Sequence, residues 1–120
     1  MQRLNWFLLC LLLLNGCSTV VMHDGCYVAD PHVNGTYEGE CKDGKANGFG
    51  KSVGEDSYEG YFVDGKFQGT GKYTWKDGDT YAGQFFNGKP HGYGVLIKGK
   101  QRQEGIWEKG ELIEAKLAIH

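Results

Sequence analysis

Two glutamates hold equivalent places in two similar stretches of sequence, Tyr37-Glu38-Gly39 and Tyr58-Glu59-Gly60, which start 21 residues apart. Paired carboxylates can act as general acid and general base, so Glu38 and Glu59 are the candidates for a hydrolase. The next similar stretch has Ala82 in place of the glutamate. A solvated polar face is therefore the better interpretation, and we expect no enzyme activity.

Other residue types that often serve catalysis or metal binding form no recognisable pattern. The histidines show no short metal-ligand spacing. Glycine pairs such as Gly69-x-Gly71 lack the Lys-Ser/Thr and the following helix of a phosphate-binding loop. Neither Cys26 nor Cys41 forms with a histidine a local pattern typical of an activated thiol. The sequence therefore predicts no metal site and no cofactor. The four histidines are His23, His32, His91 and His120.

Composition limits the remaining function classes. Of 120 residues, 20 are glycine and 13% are aromatic, which is too aromatic for a flexible linker. A chain of this length is expected to form one domain. Thirteen basic and 15 acidic residues give a net charge of −2. This balance argues against a nucleic-acid partner, since binding phosphates requires a basic surface.

The start of the chain is typical of an export signal. A run of nine apolar residues, 6–14, follows Arg3 and is too short to span a bilayer, which takes roughly 20. Leu14-Asn15-Gly16-Cys17 resembles a bacterial lipobox. That resemblance implies cleavage before Cys17 and its lipidation, and Ser18 implies sorting to the outer membrane. The alternatives are an ordinary signal peptide or an uncleaved anchor, with Cys17 incidental.

The cysteines can all be accounted for on this interpretation. Cys10 leaves with the signal and Cys17 takes the lipid, so Cys26 and Cys41 remain as a pair in an oxidising compartment. A disulfide between them would close a loop of about 15 residues and contribute ~3 kcal/mol. The alternative is that Cys41 is a small buried apolar residue and Cys26 a free thiol.

The middle of the chain is a repeat. Tyr-x-Gly recurs at Tyr37, Tyr58 and Tyr81, with a weaker fourth start at residues 103–105. Apolar and polar residues alternate within each unit, which predicts strands with one glycine and aromatic face and one mainly polar face. Asp-Gly and Asn-Gly pairs tolerate the positive φ of hairpin turns, so each unit is predicted to be a β-hairpin. The turn pairs are Asp43-Gly44, Asp64-Gly65 and Asn87-Gly88.

This motif resembles the MORN repeat (membrane occupation and recognition nexus), in which Tyr-x-Gly, an aromatic residue, Gly and Gly-x-Gly recur about every 23 residues. The resemblance implies an all-β fold, an elongated single-layer antiparallel sheet of stacked hairpins. A short C-terminal cap is expected, with a helix as one option. MORN arrays act as scaffolds or binding modules, often beside membranes, and the resemblance implies no catalytic activity.

The aromatic face is the first candidate binding surface. Its rings could line a groove for apolar peptides or the faces of sugars. The alternative is that they form the core, which we prefer for Phe62 and Phe85. The candidate binding residues are Tyr58, Tyr73, Trp75 and Tyr81.

An apolar patch on the normally polar face of the third unit is the second candidate. Exposed apolar patches often mark contacts with a partner or a second copy. Our hypothesis is that the apolar C-terminal tail, with Leu112, Ile113, Leu117 and Ile119, packs there, and a contact with a partner or a second copy is the competing interpretation. The patch consists of Phe86, Tyr93, Val95 and Ile97.

The sequence thus predicts four regions: a lipoprotein signal peptide (1–16), a lipidated N-terminus and tether (17–34), the repeat domain (35–110) and a capping tail (111–120). The expected protein is a periplasmic lipoprotein attached to the outer membrane by the acyl anchor on Cys17. It would bind an envelope protein or act as a scaffold. The alternative is a module that binds glycan (peptidoglycan) or lipid through the aromatic face. A homodimer stays open, since single sheets leave unpaired edges.

Overall fold

The computed structural model describes residues 25–117, which form one open antiparallel sheet with its strands in sequence order. No helix occurs among these residues. The all-β, stacked-hairpin prediction is confirmed, whereas the signal peptide and Cys17 lie outside the described residues. The strands are β1 (Thr36–Lys42), β2 (Lys45–Val53), β3 (Ser57–Val63), β4 (Lys66–Thr74), β5 (Thr80–Phe86), β6 (Lys89–Lys98), β7 (Gln101–Glu108) and β8 (Glu111–Ala115).

Each hairpin closes with a turn in which both central residues have positive φ. Asp43 and Gly44, for example, have φ of 53° and 75°. Such turns match the right-handed twist of the strands they join. The sequence predicted three of them, and the structure adds a fourth at Lys109 and Gly110, with φ of 52° and 84°.

The fourth turn leads the C-terminal tail into an additional strand. Residues 111–115 pair with β7 as strand β8, so the helical option for the cap is wrong for this part of the tail. Leu112 lies opposite Trp107 and packs on the core, whereas Ile113 is 58% exposed. The physical reason is that a strand here satisfies backbone groups of β7, which a helix would leave unpaired.

The core lies on one face of the sheet, as the alternation predicted. Tyr58, Phe62 and Phe67 are buried, and the rings of Tyr58 and Phe67 stack at 3.9 Å. Gly60 and Gly71 pair across β3 and β4, and a Cβ on Gly71 would overlap the Tyr58 ring. Aromatic rings therefore lie directly on glycine backbone, which lets a single sheet bury them.

The segment before β1 crosses the core face of the first hairpin. The Tyr27 amide donates to the Gly44 carbonyl at 2.8 Å, and the Asp56 amide donates to the His32 carbonyl at 2.9 Å. The Ser52 hydroxyl donates to the Val33 carbonyl at 2.6 Å. Residues 25–34 are therefore part of the folded domain, and the tether predicted over 17–34 is wrong for this part.

Small residues in the first hairpin make room for this segment. Ala46, Ser52 and Gly54 stand at the offset where the second unit has Phe67, Tyr73 and Trp75. The space is filled by the buried side chains of Cys26, Val28 and Val33. Cys26 forms a disulfide with Cys41, with their Cα atoms 6.2 Å apart. The segment thus replaces the aromatic side chains that the first unit lacks.

Candidate binding surfaces

The tyrosines of the predicted aromatic face are mostly core residues. Tyr58, Tyr73 and Tyr81 are 0%, 8% and 1% exposed. The hydroxyls of Tyr58 and Tyr81 each donate to a backbone carbonyl at 2.9 Å, those of Tyr61 and Gln84. Tyr73 donates to the Asp56 carboxylate at 2.5 Å. These rings and hydroxyls are engaged within the fold, and among the four candidates only Trp75 is substantially exposed, at 36%.

Burial of these hydroxyls makes their ionisation unfavourable. Desolvation raises the pKa of Tyr81 to about 12. Desolvation, together with the nearby Glu40 carboxylate, raises the pKa of Tyr37 to about 12. Burial raises the pKa of Tyr58 and Tyr73 further, and in Tyr73 the hydrogen bond to Asp56 adds to this effect. The core therefore depends on neutral tyrosines.

Alkaline pH is expected to destabilise the domain within a defined window. An unfolded chain releases tyrosine protons at the ordinary pKa of 10.0, whereas folded Tyr37 and Tyr81 release them at about 12. Stability from these groups is therefore complete below about pH 10 and is lost as the pH rises to about 12. Urea denaturation at increasing pH should show the midpoint falling across this window. Tyr81→Phe should reduce the slope, and an unchanged slope would contradict the assignment.

A groove opens on the core face between the third and fourth hairpins. Its volume is about 430 Å³. Repeat offsets explain it, because Pro90 and Leu96 stand where the second unit has Phe67 and Tyr73. Sequence reasoning missed the groove, although this substitution is visible in the repeat. The apolar lining includes Trp75, Tyr81, Pro90, Leu96 and Trp107, and the charged lining is Asp77, Asp79 and Lys98.

The predicted apolar patch lies on the opposite, outer face. Phe86, Tyr93 and Ile97 are 57%, 45% and 40% exposed, and Val95 is half-buried. The described part of the tail leaves these residues uncovered, since Leu112 turns to the core and Leu117 is 81% exposed. Ile119 lies outside the described residues.

A second apolar pair on the outer face escaped the sequence analysis. Phe49 and Tyr61 are both about half-exposed and lie on paired strands β2 and β3. Their rings meet edge-on with centroids 5.4 Å apart. The outer face therefore carries exposed rings in both halves of the sheet.

The two candidate carboxylates are not adjacent. Glu38 pairs with Lys51 across β1 and β2, and Lys51 pairs with Glu59 across β2 and β3. Two strand spacings put the carboxylate-bearing residues roughly 10 Å apart with a lysine between them. Alternating charges on neighbouring strands support each other in a sheet. This arrangement is that of a solvated polar face.

In the first two units, the residue before the first glycine of the pair joins neighbouring hairpins. The Asn47 side-chain oxygen accepts from the Asp64 amide at 3.3 Å, and that of Gln68 accepts from the Asn87 amide at 3.1 Å. His91 holds the same place in the third unit, and its ring lies 5.6 Å from that of Phe86. This repeat position therefore contributes to stacking of the hairpins in the first two units, and in the third its residue contacts a ring of its own hairpin.

Across residues 25–117, no group of at least three His, Cys, Asp or Glu side chains is arranged to hold a metal ion. The same stretch has no helix of the length and apolarity that a bilayer crossing requires.

Comparison with known proteins agrees with the hairpin architecture. Three stretches match the family model described as the MORN repeat: residues 37–57, 58–80 and 81–100. Together they cover more than half of the chain. Each match begins at the tyrosine of a Tyr-x-Gly motif and covers one of the first three hairpins. Strands β7 and β8 lie beyond the matches. No curated protein matches the chain.

Proposed function

Because the chain belongs to the MORN-repeat family, we propose that it is a non-enzymatic lipoprotein that binds an envelope protein beside the outer membrane. MORN repeats suggest a protein- or membrane-binding module, and the family is generally non-enzymatic. The observation that carries the protein-binding role is the outer-face patch of Phe86, Tyr93, Val95 and Ile97. Tyr93, Val95 and Ile97 alternate along the outer face of β6, and Phe86 is exposed on the neighbouring β5, where solvent-facing strands are normally polar.

The burial of the tyrosines supports a protein partner over a sugar. Sugar faces need flat, exposed aromatic surfaces. Of the four aromatic residues proposed for that role, Tyr58, Tyr73 and Tyr81 are buried and only Trp75 presents substantial area. The large exposed apolar surface lies instead on the outer face.

Membrane attachment is proposed through Cys17, on the strength of the lipobox-like sequence at residues 14–17. The folded segment reaches back to Gly25. Only residues 18–24 separate a lipid on Cys17 from the domain, and at ~3.5 Å per residue they span at most roughly 25 Å. The sheet would thus be held close to the membrane surface.

Acylation is tested by replacing Cys17. In the native host, Cys17→Ala is expected to abolish labelling with a fatty-acid analogue and to move the protein out of the outer-membrane fraction. One acyl chain binds marginally and two or three hold a protein firmly, so the loss should be nearly complete. Cys10→Ala is the matched control and should leave labelling unchanged. Membrane retention of the Cys17→Ala protein would contradict the anchor.

The partner is tested with the outer-face patch. Ile97→Asp is expected to remove the protein that chemical crosslinking captures in intact envelopes, because a charge in an apolar contact is left unpaired. Lys72→Asp, on the same face outside the patch, should leave that crosslink in place. If no envelope protein is captured with the unaltered chain, the protein-binding role fails.

A further inference from the structure

The groove on the core face of the third unit is equivalent to a space in the first unit that the chain itself fills. In the first hairpin, Ser52 and Gly54 hold the positions that Leu96 and Lys98 hold in the third. Residues 25–35 lie over the first pair, and a Cβ on Gly54 would meet His32 and Val33 backbone atoms. Among the described residues, no segment lies over the second pair as one lies over the first.

The second unit shows the same space filled from within. Phe67 and Tyr73 are 2% and 8% exposed and pack with ring centroids 5.9 Å apart. The three units therefore treat one position of the repeat in three ways. A chain segment fills it in the first, aromatic side chains fill it in the second, and a groove of about 430 Å³ remains in the third.

The Asp79 carboxylate beside the groove lacks the tyrosine hydroxyl that the equivalent carboxylate, Asp56, has as a hydrogen-bond donor. Asp56 accepts hydrogen bonds from the Tyr73 hydroxyl and from the Lys76 amide at 2.9 Å. Asp79 lies two residues before Tyr81, as Asp56 lies two residues before Tyr58, and it accepts from the Gly99 amide at 3.0 Å through Oδ1. Leu96 replaces the tyrosine and has no hydroxyl, so within residues 25–117 the Oδ2 atom of Asp79 has no hydrogen-bond donor.

We propose that this groove binds an extended aliphatic segment of a partner protein, seated on the third hairpin as residues 26–33 are seated on the first. This inference rests on the proposed protein-binding role and gives that role a second contact, on the opposite face. Aliphatic side chains of the segment would pack on Leu96 and Trp107, and in the first unit the aliphatic side chains of Val28 and Val33 are buried in the core in this way. A backbone N–H of the segment would donate to Asp79 in place of the missing hydroxyl.

The two tryptophans of the described chain both line the groove, so their fluorescence reports on it directly. The third tryptophan is Trp6, and the Trp6→Phe substitution in the full chain removes its contribution to the fluorescence. The probe is an octapeptide of alternating valine and serine. The matched probe has threonine for each valine, which keeps the shape and adds a hydroxyl.

The valine peptide is expected to shift the emission saturably, with a Kd between about 10 μM and about 1 mM. The threonine peptide should bind at least about tenfold more weakly, since its hydroxyls are desolvated without partners. No saturable response to the valine peptide up to about 10 mM overturns the proposal, as does equal binding of the two peptides.

Leu96→Tyr is the decisive variant, because it gives the third unit the tyrosine that the second unit has at this offset, Tyr73. The new ring fills the groove and offers its hydroxyl to Asp79. Peptide binding should fall at least about tenfold while the melting temperature stays level or rises, which separates a filled site from a misfolded one. Unchanged peptide binding by Leu96→Tyr overturns the proposal.

The patch variant distinguishes this inference from the function on which it rests. Ile97→Asp should retain the valine-peptide response, since Ile97 lies on the outer face. If Leu96→Tyr binds peptide normally and Ile97→Asp still loses the envelope crosslink, the groove proposal is overturned and the proposed function stands. If peptide binding depends on Leu96 but Ile97→Asp keeps the envelope crosslink, the outer-face contact of the proposed function fails and the groove proposal is supported.

Discussion

Replacing Tyr58 with alanine is expected to lower the free energy of unfolding by about 3–5 kcal/mol, the range for removing a large aromatic side chain from a core. Tyr58 is 0% exposed and contacts aromatic rings from three strands. It stacks on Phe67, and its ring centroid lies 5.0 Å from that of Phe62 and 5.1 Å from that of Phe85. Its removal opens a cavity at the centre of the ring cluster, where glycine backbone cannot move in to fill it.

The measurement is urea denaturation followed by circular dichroism. Tyr58→Phe keeps the ring and removes only the hydrogen bond to the Tyr61 carbonyl, so a loss of about 1 kcal/mol is expected. The matched control is Tyr61→Ala, the same substitution three residues away on the outer face. Tyr61 is 51% exposed and its loss should be far smaller. Equal losses at the two positions would show that the core does not lie on the face described.

Removing the disulfide is expected to lower the free energy of unfolding by about 3 kcal/mol, because the bond between Cys26 and Cys41 closes a loop of 15 residues. For a domain of this size the melting temperature should fall by more than about 10 °C. The bond holds residues 25–35 over the first hairpin, so its loss should also expose this segment to proteases. Thermal unfolding and limited proteolysis of Cys26→Ala measure both effects.

Non-additivity identifies the bond as the cause. Cys26→Ala, Cys41→Ala and the double variant should lose similar amounts, since any of the three changes removes the same crosslink. A reducing agent should destabilise the unaltered protein and leave the double variant unaffected. If reduction leaves the melting temperature of the unaltered chain in place, the bond contributes nothing to stability.

The hairpins could be predicted from sequence because their determinants are local. Positive φ at Asp43-Gly44 and its counterparts is a property of two adjacent residues, and the alternation along β3 is a property of seven. The repeat then carries each local prediction to the next unit. The outer-face position of Phe86, Tyr93 and Ile97 followed from the same alternation.

The candidate sites were predicted less well, because alternation assigns a side chain to a face and does not say what covers it. Tyr58 and Tyr81 were placed on the right face, but their burial comes from rings on neighbouring hairpins. The groove beside Leu96 exists because the third unit has a smaller side chain where the second unit has Tyr73. The difference is visible in the sequence, but the space that it leaves is defined only once the hairpins are assembled.

The stacked hairpins, their turns and the division of each strand into a ring-bearing and a polar face could be predicted from the residues, since these features follow from preferences within a few residues of the chain. Tertiary structure alone decided that residues 25–35 fold back over the first hairpin, that residues 111–115 add a strand, and that the third unit stays open. Each of these depends on hydrogen bonds or packing between residues distant in the chain. Such contacts form only where the assembled sheet leaves an unpaired backbone edge or an unfilled space.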